Sequence, residues 1–301
     1  MTKRELDPRI LKLYDEYTHR PLDRRVFLER LATLAGGVAS ANAMLALLEN
    51  DYARAQSVDP LEAGLLAERI AYPSDSGPVT AYLVRPSGQP AKQGTAPPPQ
   101  RRAPAVIVIH ENRGLNAHIE DVARRVAVAG FVALAPDLLS SQGGTPADED
   151  QAREKIAQLD PAAAVAELRS AVAFPQQDPG TTGKVGAVGF CWGGGMVNRL
   201  AVAEPKLDAG VVFYGVSPDP ADVPRIHAPL LMHYAERDER INATVPAYEA
   251  ALRAAGKKFT IYRYPGVQHA FHNDTNAARY DEKAAKLAWK RTIDFLHEQI
   301  G

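Results

Sequence analysis

The sequence predicts an α/β protein, with a mostly parallel sheet of about eight strands covered by helices on both faces and preceded by a helical N-terminal extension. Three observations lead there. Beyond about Leu65, short β-branched runs alternate with segments of helical length, the pattern of strands joined by crossover helices. One such run ends in a turn with glycine at 189 and 193 and opens directly into a helix-like segment. Hydrophobic residues form 46% of the 301 and charged residues 24%, enough apolar mass for a buried sheet.

Along the chain, strands are expected over 68–72, 79–84, 105–110, 132–135, 184–189, 210–214, 230–234 and 259–263. Asp75-Ser76-Gly77 is a turn signal, so the first two strands should form an antiparallel hairpin. The stretch 86–104 is rich in Pro, Gly, Gln and Ala, lacks periodicity and reads as a solvated loop. Helices are expected over 119–129, 148–158, 161–172, 192–203, 246–255 and 277–299. Asp160 should cap Pro161, whose missing N–H has no intrahelical partner at a first helical position. The last helix should turn Ala284, Leu287, Ala288, Ile293 and Leu296 inward.

Residues 1–60 admit two readings, ahead of a catalytic domain over 61–301. Asp23-Arg24-Arg25-Val26-Phe27-Leu28 precedes an uncharged stretch from 31 to 48, and Ala53-Arg54-Ala55 offers a small-residue cleavage site, which together resemble a twin-arginine leader. The stretch carries Gly36, Gly37, Ser40 and Asn42, too polar for a stable membrane span. Alternatively, Leu11, Leu13, Tyr14, Val26, Leu28, Leu31 and Leu34 fall near helical spacing and would pack as helices on the main domain. Cytoplasmic and periplasmic locations both stay open, as does a homo-oligomer.

Lys and Arg number 35 against 36 Asp and Glu, a formal charge of -1, so no basic field invites nucleic acid. The single cysteine, Cys191, excludes an intrachain disulfide and any CxxC cluster. It is either a packed small hydrophobe or a reactive thiol. Its context favours the thiol. Gly189-Phe190-Cys191-Trp192-Gly193 has the form of a nucleophile elbow with cysteine in the serine position, and this narrows the class to the α/β-hydrolase fold. Glycines two residues to either side allow the strained turn, which should lift Cys191 out of the core. The helix N-terminus behind it favours thiolate. A glycine turn built for close packing or phosphate binding is the alternative, but the G-x-G-x-x-G spacing is missing.

In this fold the chain order is nucleophile, acid, histidine, the last two on loops after later strands. Asp238 follows the expected strand ending at Tyr234, and His269 follows the next. Glu236 and Asp274 are the other acid candidates.

Gly189-Phe190-Cys191-Trp192-Gly193-Gly194, His110-Glu111-Asn112-Arg113-Gly114-Leu115-Asn116, Ala135-Pro136-Asp137-Leu138 and Gly266-Val267-Gln268-His269-Ala270-Phe271 occur in that family's order. Together the motifs resemble the dienelactone hydrolases, or carboxymethylenebutenolidases, over roughly 65–301. The resemblance implies hydrolysis of a small-molecule lactone or ester through an acyl-cysteine, without metal or organic cofactor. It implies Cys191 as nucleophile, His269 as base, Asp238 as its orienter, and Glu111 as the carboxylate that helps generate the thiolate. The backbone N–H groups of Asn112 and Trp192 would form the oxyanion hole.

The family's best-known members bind a substrate carboxylate with arginines, one of them four residues after the catalytic histidine, where this chain has Asn273. The second arginine should lie in the segment after Asp137, where Arg153 is available; Arg113 is another anion contact to consider, and Tyr214 and Phe271 are further candidates for the substrate pocket. Other readings are a non-catalytic ligand-binding protein on the same scaffold, or a thioesterase or peptidase using the same triad. A metal hydrolase on His110, Glu111, His269 and His272 is disfavoured, since histidines three apart in a loop have no fixed ligand geometry.

Overall fold

The structure is a computed structural model and describes residues 6–20, 22–87 and 102–301. Three helices come first: α1 (Pro8–His19), α2 (Arg24–Ala35) and α3 (Val38–Leu48). Then follow β1 (Leu65–Tyr72), β2 (Val79–Pro86), β3 (Ala103–Ile109), α4 (Ala117–Val128), β4 (Val132–Pro136), α5 (Glu149–Gln158) and α6 (Pro161–Gln177). The second half holds β5 (Thr181–Phe190), α7 (Trp192–Ala203), β6 (Ala209–Phe213), β7 (Leu230–Arg237), α8 (Glu239–Asn242), α9 (Val245–Ala254), β8 (Phe259–Gln268) and α10 (Glu282–Ile300).

The strands form one sheet in the order β1-β2-β4-β3-β5-β6-β7-β8. β2 pairs antiparallel with β1 and with β4, while the pairs from β4 to β8 run parallel. The first hairpin closes on the expected turn, with Gly77 at φ +109° and Ser74 accepting from its amide at 3.1 Å. Of the loop expected over 86–104, residues 88–101 lie outside the described residues, and both ends are strand, because β2 reaches Pro86 and β3 starts at Ala103.

Side chains alternate across the sheet into two cores. Ala105, Ile107 and Ile109 of β3 face Leu168 of α6, Leu200 of α7 and Leu252 of α9. Val106 and Val108 face Val122 and Val126 of α4 and Leu296 of α10. Asp160 accepts from the Ala162 amide, so α6 begins at Pro161 as expected. α10 starts five residues later than the sequence pattern suggests, since Asp281 caps it and the preceding residues are turns. Thr292, bonded to His233 and to its own helix, takes an inward place, while Leu287 is 42% exposed.

The N-terminal helices share an apolar cluster in which Tyr17 stacks on Phe27 at 4.2 Å, with Tyr14, Leu31 and Leu48 around them. Polar contacts fix this cluster to the sheet domain. Tyr17 donates to Asp150 at 2.6 Å, Arg24 reaches the same carboxylate at 2.7 Å, and Asn276 donates to the Leu48 carbonyl at 2.7 Å. Among the described residues no single helix is long and apolar enough to cross a membrane; α2 passes that test only together with the segment from Val38, across a 111° bend.

Two features of the fold position the site. In the elbow, a Cβ on Gly189 would lie 2.2 Å from the Gly193 carbonyl oxygen, and one on Gly193 would lie 2.4 Å from the carbonyl oxygens of Ile109 and His110. Only glycine lets β3, β5 and α7 approach this closely. In the sheet, Arg237 of β7 pairs with Gln268 of β8, so the next residues on each strand, Asp238 and His269, leave the sheet side by side.

Gly193→Ala should therefore destabilise the protein by about 3 kcal/mol or more, the upper end of overpacking effects, as measured by urea unfolding. Loss of less than about 1 kcal/mol would contradict the close approach. A second expectation concerns His233, which is fully buried between Tyr264 and Thr292. Burial, then the nearby Arg291 charge, push its imidazole down to about 3. Because the folded value lies below the unfolded one, the stabilisation is complete above about pH 6.5 and is lost as pH falls towards 3, by about 1.4 kcal/mol per unit. His233→Gln should flatten the stability curve below pH 6.5 by about that slope, and identical slopes for the two proteins would refute the assignment.

Candidate active site

Cys191 leaves β5 and caps α7 with φ 53° and ψ -114°. The described non-glycine residues with positive φ are Cys191, Tyr214 and Ala270; all three stand just beyond the C-terminal ends of parallel strands, Cys191 and Ala270 on the wall of one cavity and Tyr214 buried behind it. Strain gathers there because the sheet and helices over-determine those backbones. The Cys191 amide donates to the Phe213 carbonyl at 3.0 Å, and the Tyr214 amide to the His233 carbonyl at 2.8 Å.

His269 Nδ1 lies 2.6 Å from Asp238 Oδ2, and both residues are buried. The other ring nitrogen, Nε2, has no hydrogen-bond partner and lies within 4.8 Å of Cys191 Sγ. Burial alone would lower the imidazole, but the Asp238 carboxylate and then the Cys191 sulfur push it up to about 10. Asp238 is itself held low by His269 against the effect of burial. The other acid candidates are engaged elsewhere. Glu236 accepts from the Gly266 amide at 2.6 Å, and Asp274 pairs with His118 at 3.1 Å and with Arg125.

Glu111 lies at the head of the β3 loop, buried, accepting from Asn273 Nδ2 at 3.0 Å and from the Tyr214 hydroxyl at 3.4 Å. Burial, and then the Cys191 charge, raise its carboxyl above the usual range. Asn273 is thus a holder of Glu111. Trp192 is the first residue of α7, so its amide has no intrahelical acceptor. Asn112 follows Glu111, lines the cavity, and sends its side chain to the Thr18 carbonyl at 2.7 Å.

The substrate-pocket expectations change. Arg153 donates to the Tyr17 carbonyl and lies 4.1 Å over the Tyr17 ring, so it fastens α1 and does not line the cavity. Phe271 is core, 4.9 Å from Tyr264 and 5.5 Å from Tyr214. Tyr214 is fully buried behind Glu111 and His269. Arg113 does line the cavity, yet Glu149 and Asp150 neutralise it at 3.3 and 3.8 Å.

The sequence did not point to His19 or Arg279 on the cavity wall, nor to Asp15 behind them. His19, the last residue of α1, brings Nε2 to 3.2 Å from Cys191 Sγ and sets its ring edge-on to His269 at 4.7 Å. Its Nδ1 lies 3.1 Å from Asp15, one turn back on α1. Arg279 lies 3.6 Å from Asp15, with Nη2 lacking a hydrogen-bond partner. The spacing Asp15 to His19 could have suggested a shared helix face; nothing pointed that face at the thiol. The elbow raises Cys191 to the top of the sheet, but α1 covers it and leaves it 7% exposed. Burial would raise the thiol, yet the charges of His19 and then His269 outweigh it and hold the thiol well below its ordinary range.

Residues 93–300 match the Dienelactone hydrolase family, and residues 1–37 match a YqhI-like family. A Methylorubrum extorquens protein named "Putative carboxymethylenebutenolidase" is 31% identical over 294 residues, covering 93% of this chain and 96% of that one. The crystal structure named "Putative Dienelactone Hydrolase" from Klebsiella pneumoniae subsp. pneumoniae superimposes with a TM-score of 0.68 at 29% identity, over 78% of this chain and 99% of that one. A fungal esterase structure from Rhizomucor miehei shares the fold at 14% identity, with a TM-score of 0.63 over 99% of this chain and 98% of that one. With this sheet order and a cysteine in its glycine-flanked strand-to-helix turn, the chain belongs to the dienelactone hydrolase family and is a hydrolase of the α/β-hydrolase fold.

Proposed function

We propose that this chain hydrolyses a lactone or carboxylic ester, dienelactone-like in class, through an acyl-cysteine intermediate. Cys191 is the nucleophile, His269 with Asp238 its acid-base partner, and Glu111 an auxiliary base. The observation that carries the reading is the free Nε2 of His269, oriented by Asp238 through Nδ1 and facing Sγ without another partner.

The thiolate attacks the carbonyl carbon, forming a C–S bond while charge moves onto the carbonyl oxygen. The amides of Trp192 and Asn112 donate to that oxygen only once it is charged. The C–O bond to the leaving alkoxide then breaks, and His269 Nε2 delivers the proton that the alkoxide needs. In the second half, water gives a proton to His269 and attacks the thioester. The C–S bond breaks, releasing the acid and restoring thiolate and imidazolium. Glu111, raised by burial, is suited to take the thiol proton whenever Cys191 is found protonated. Since Asn273 is committed to Glu111, Arg279 is the cation best placed to read a substrate carboxylate, its Nη2 at the cavity wall making no hydrogen bond and only a 3.6 Å ion pair with Asp15.

Stopped-flow acylation with a nitrophenyl ester and a dienelactone tests the reading. Cys191→Ala should abolish turnover, and Glu111→Gln should slow acylation by about 100-fold with little change in substrate affinity. Asp238→Asn should also slow turnover by misorienting His269. Turnover surviving in Cys191→Ala would end the cysteine mechanism. Acylation by Glu111→Gln within about threefold of wild type would reduce Glu111 to a loop carboxylate.

A further inference from the structure

With α1 in place the cavity over the thiol has about 30 Å³ of room, enough for about two waters and too little for a lactone ring. α1 contributes Tyr14, Thr18 and His19 to that wall. Substrate can reach Cys191 only after α1 yields, so the closed arrangement needs its own account. Its chemistry lies in the donors it gathers. His19 Nε2, His269 Nε2 and Cys191 Sγ all lie within 4.8 Å of one another, and the first and last are 3.2 Å apart.

We propose that His19, Cys191 and His269 form a binding site for a zinc-type divalent ion, which ties α1 across the nucleophile and holds the hydrolase closed. Zinc bonds of about 2.0–2.1 Å to nitrogen and about 2.3 Å to sulfur put tetrahedral donors about 3.3–3.6 Å apart; His19 Nε2 and Cys191 Sγ already stand 3.2 Å apart, and His269 completes a set held within 4.8 Å, which closes by a small shift of its ring. Two nitrogens and a thiolate suit zinc and do not suit magnesium or calcium, which take oxygen. Each imidazole is also oriented as a metal ligand is. His19 Nδ1 lies 3.0 Å from the Asp15 carbonyl and 3.1 Å from its carboxylate, and His269 Nδ1 faces Asp238 at 2.6 Å, so both Nε2 atoms are turned towards the sulfur. His269 Nε2 is buried and, apart from the facing Cys191 sulfur, meets no hydrogen-bond partner, so an ion between the two would satisfy both. The cavity leaves space for water as a fourth ligand. The other close pair of buried histidines, His118 and His272, has the Arg125 guanidinium beside it and only one nearby carboxylate, Asp274.

Zinc bound there replaces the proton shared between thiol and imidazole and removes the sulfur lone pair that would attack the ester. The ion therefore inhibits, and chelation activates, the reverse of a metal hydrolase. This regulatory role rests on Cys191 being the nucleophile; the ion site rests on the geometry alone.

The test uses the full chain stripped with chelator and titrated with Co²⁺, whose thiolate charge-transfer absorption reports a Co–S bond. One equivalent should bind with that absorption, and one equivalent of Zn²⁺ should bleach it. His19→Gln should weaken binding by about 100-fold or more, and Asp15→Asn by about 10- to 100-fold, the range for groups that orient a ligand. Near-ultraviolet circular dichroism reports whether His19→Gln keeps its fold, and if it does not, His19→Ala decides. Absence of the thiolate absorption at one equivalent would overturn the site. Affinity within about threefold of wild type in the deciding variant would overturn the part played by α1. Ester turnover by stripped and zinc-loaded enzyme is read separately. A stripped enzyme that binds Co²⁺ through sulfur but hydrolyses no ester would defeat the proposed function and leave the ion site standing. Equal turnover with and without bound zinc would defeat the closed-state role.

Discussion

The close approach of β5 and α7 is the constraint on which the site depends. Without side chains at 189 and 193, the backbone turns sharply enough to hold Cys191 at positive φ over the sheet edge, with the first turn of α7 behind it. The conformation is costly for a residue with a Cβ, and surrounding packing must hold it. Here the Cys191 amide is bonded to the Phe213 carbonyl, and Phe190 beneath is fully buried among aromatic rings. Once the turn is fixed, parallel register does the rest. Phe190 pairs with Phe213 and Arg237 with Gln268, so Cys191, Tyr214, Asp238 and His269 all leave the sheet at one end. That is where functional groups gather in open parallel sheets, at the carboxyl ends of the strands.

The charges of the site are interdependent in the same way. A buried thiol, imidazole and two carboxylates would each be driven toward the neutral form if alone. Together, Asp238 favours the imidazolium and the imidazoles favour the thiolate, while Glu111, adjacent to the sulfur, is pushed the other way. The two carboxyl groups are thus driven in opposite directions, because Asp238 faces an imidazole and Glu111 faces the sulfur. α1 adds a second imidazole and carboxylate to this balance. Tyr17 of α1 and Arg24 of α2 reach Asp150 of α5, and Arg153 of α5 reaches the Tyr17 carbonyl, so α1 is held in place as part of the wall of the site.

Much of this was legible in the residues because it is local. The strand, the glycine spacing and the helix around Cys191 are contiguous, and Asp238 and His269 announce themselves by following apolar runs in the required order. What stayed hidden depends on tertiary placement. β7 and β8 extend to Arg237 and Gln268 through a register shift that no hydrophobic pattern encodes, and that pairing sets the Asp238–His269 contact. Arg153 looked like an anion contact by its place in the chain, but Tyr17 approaches from more than a hundred residues away and takes it. Phe271 lies two residues from His269 in sequence and in the core in space. His19 sits in a segment whose composition fits either a leader or a packed helix, so its position over the thiol follows only from how α1 docks.

The account stands or falls on whether the acyl group resides on Cys191 during turnover. Rapid acid quench during hydrolysis of a nitrophenyl ester, followed by peptide mass spectrometry, measures this directly. The account predicts an adduct of acyl mass on the peptide containing Cys191, appearing in the pre-steady state and disappearing as substrate is exhausted. Turnover with no adduct on that peptide, or an adduct on a serine elsewhere, would contradict it.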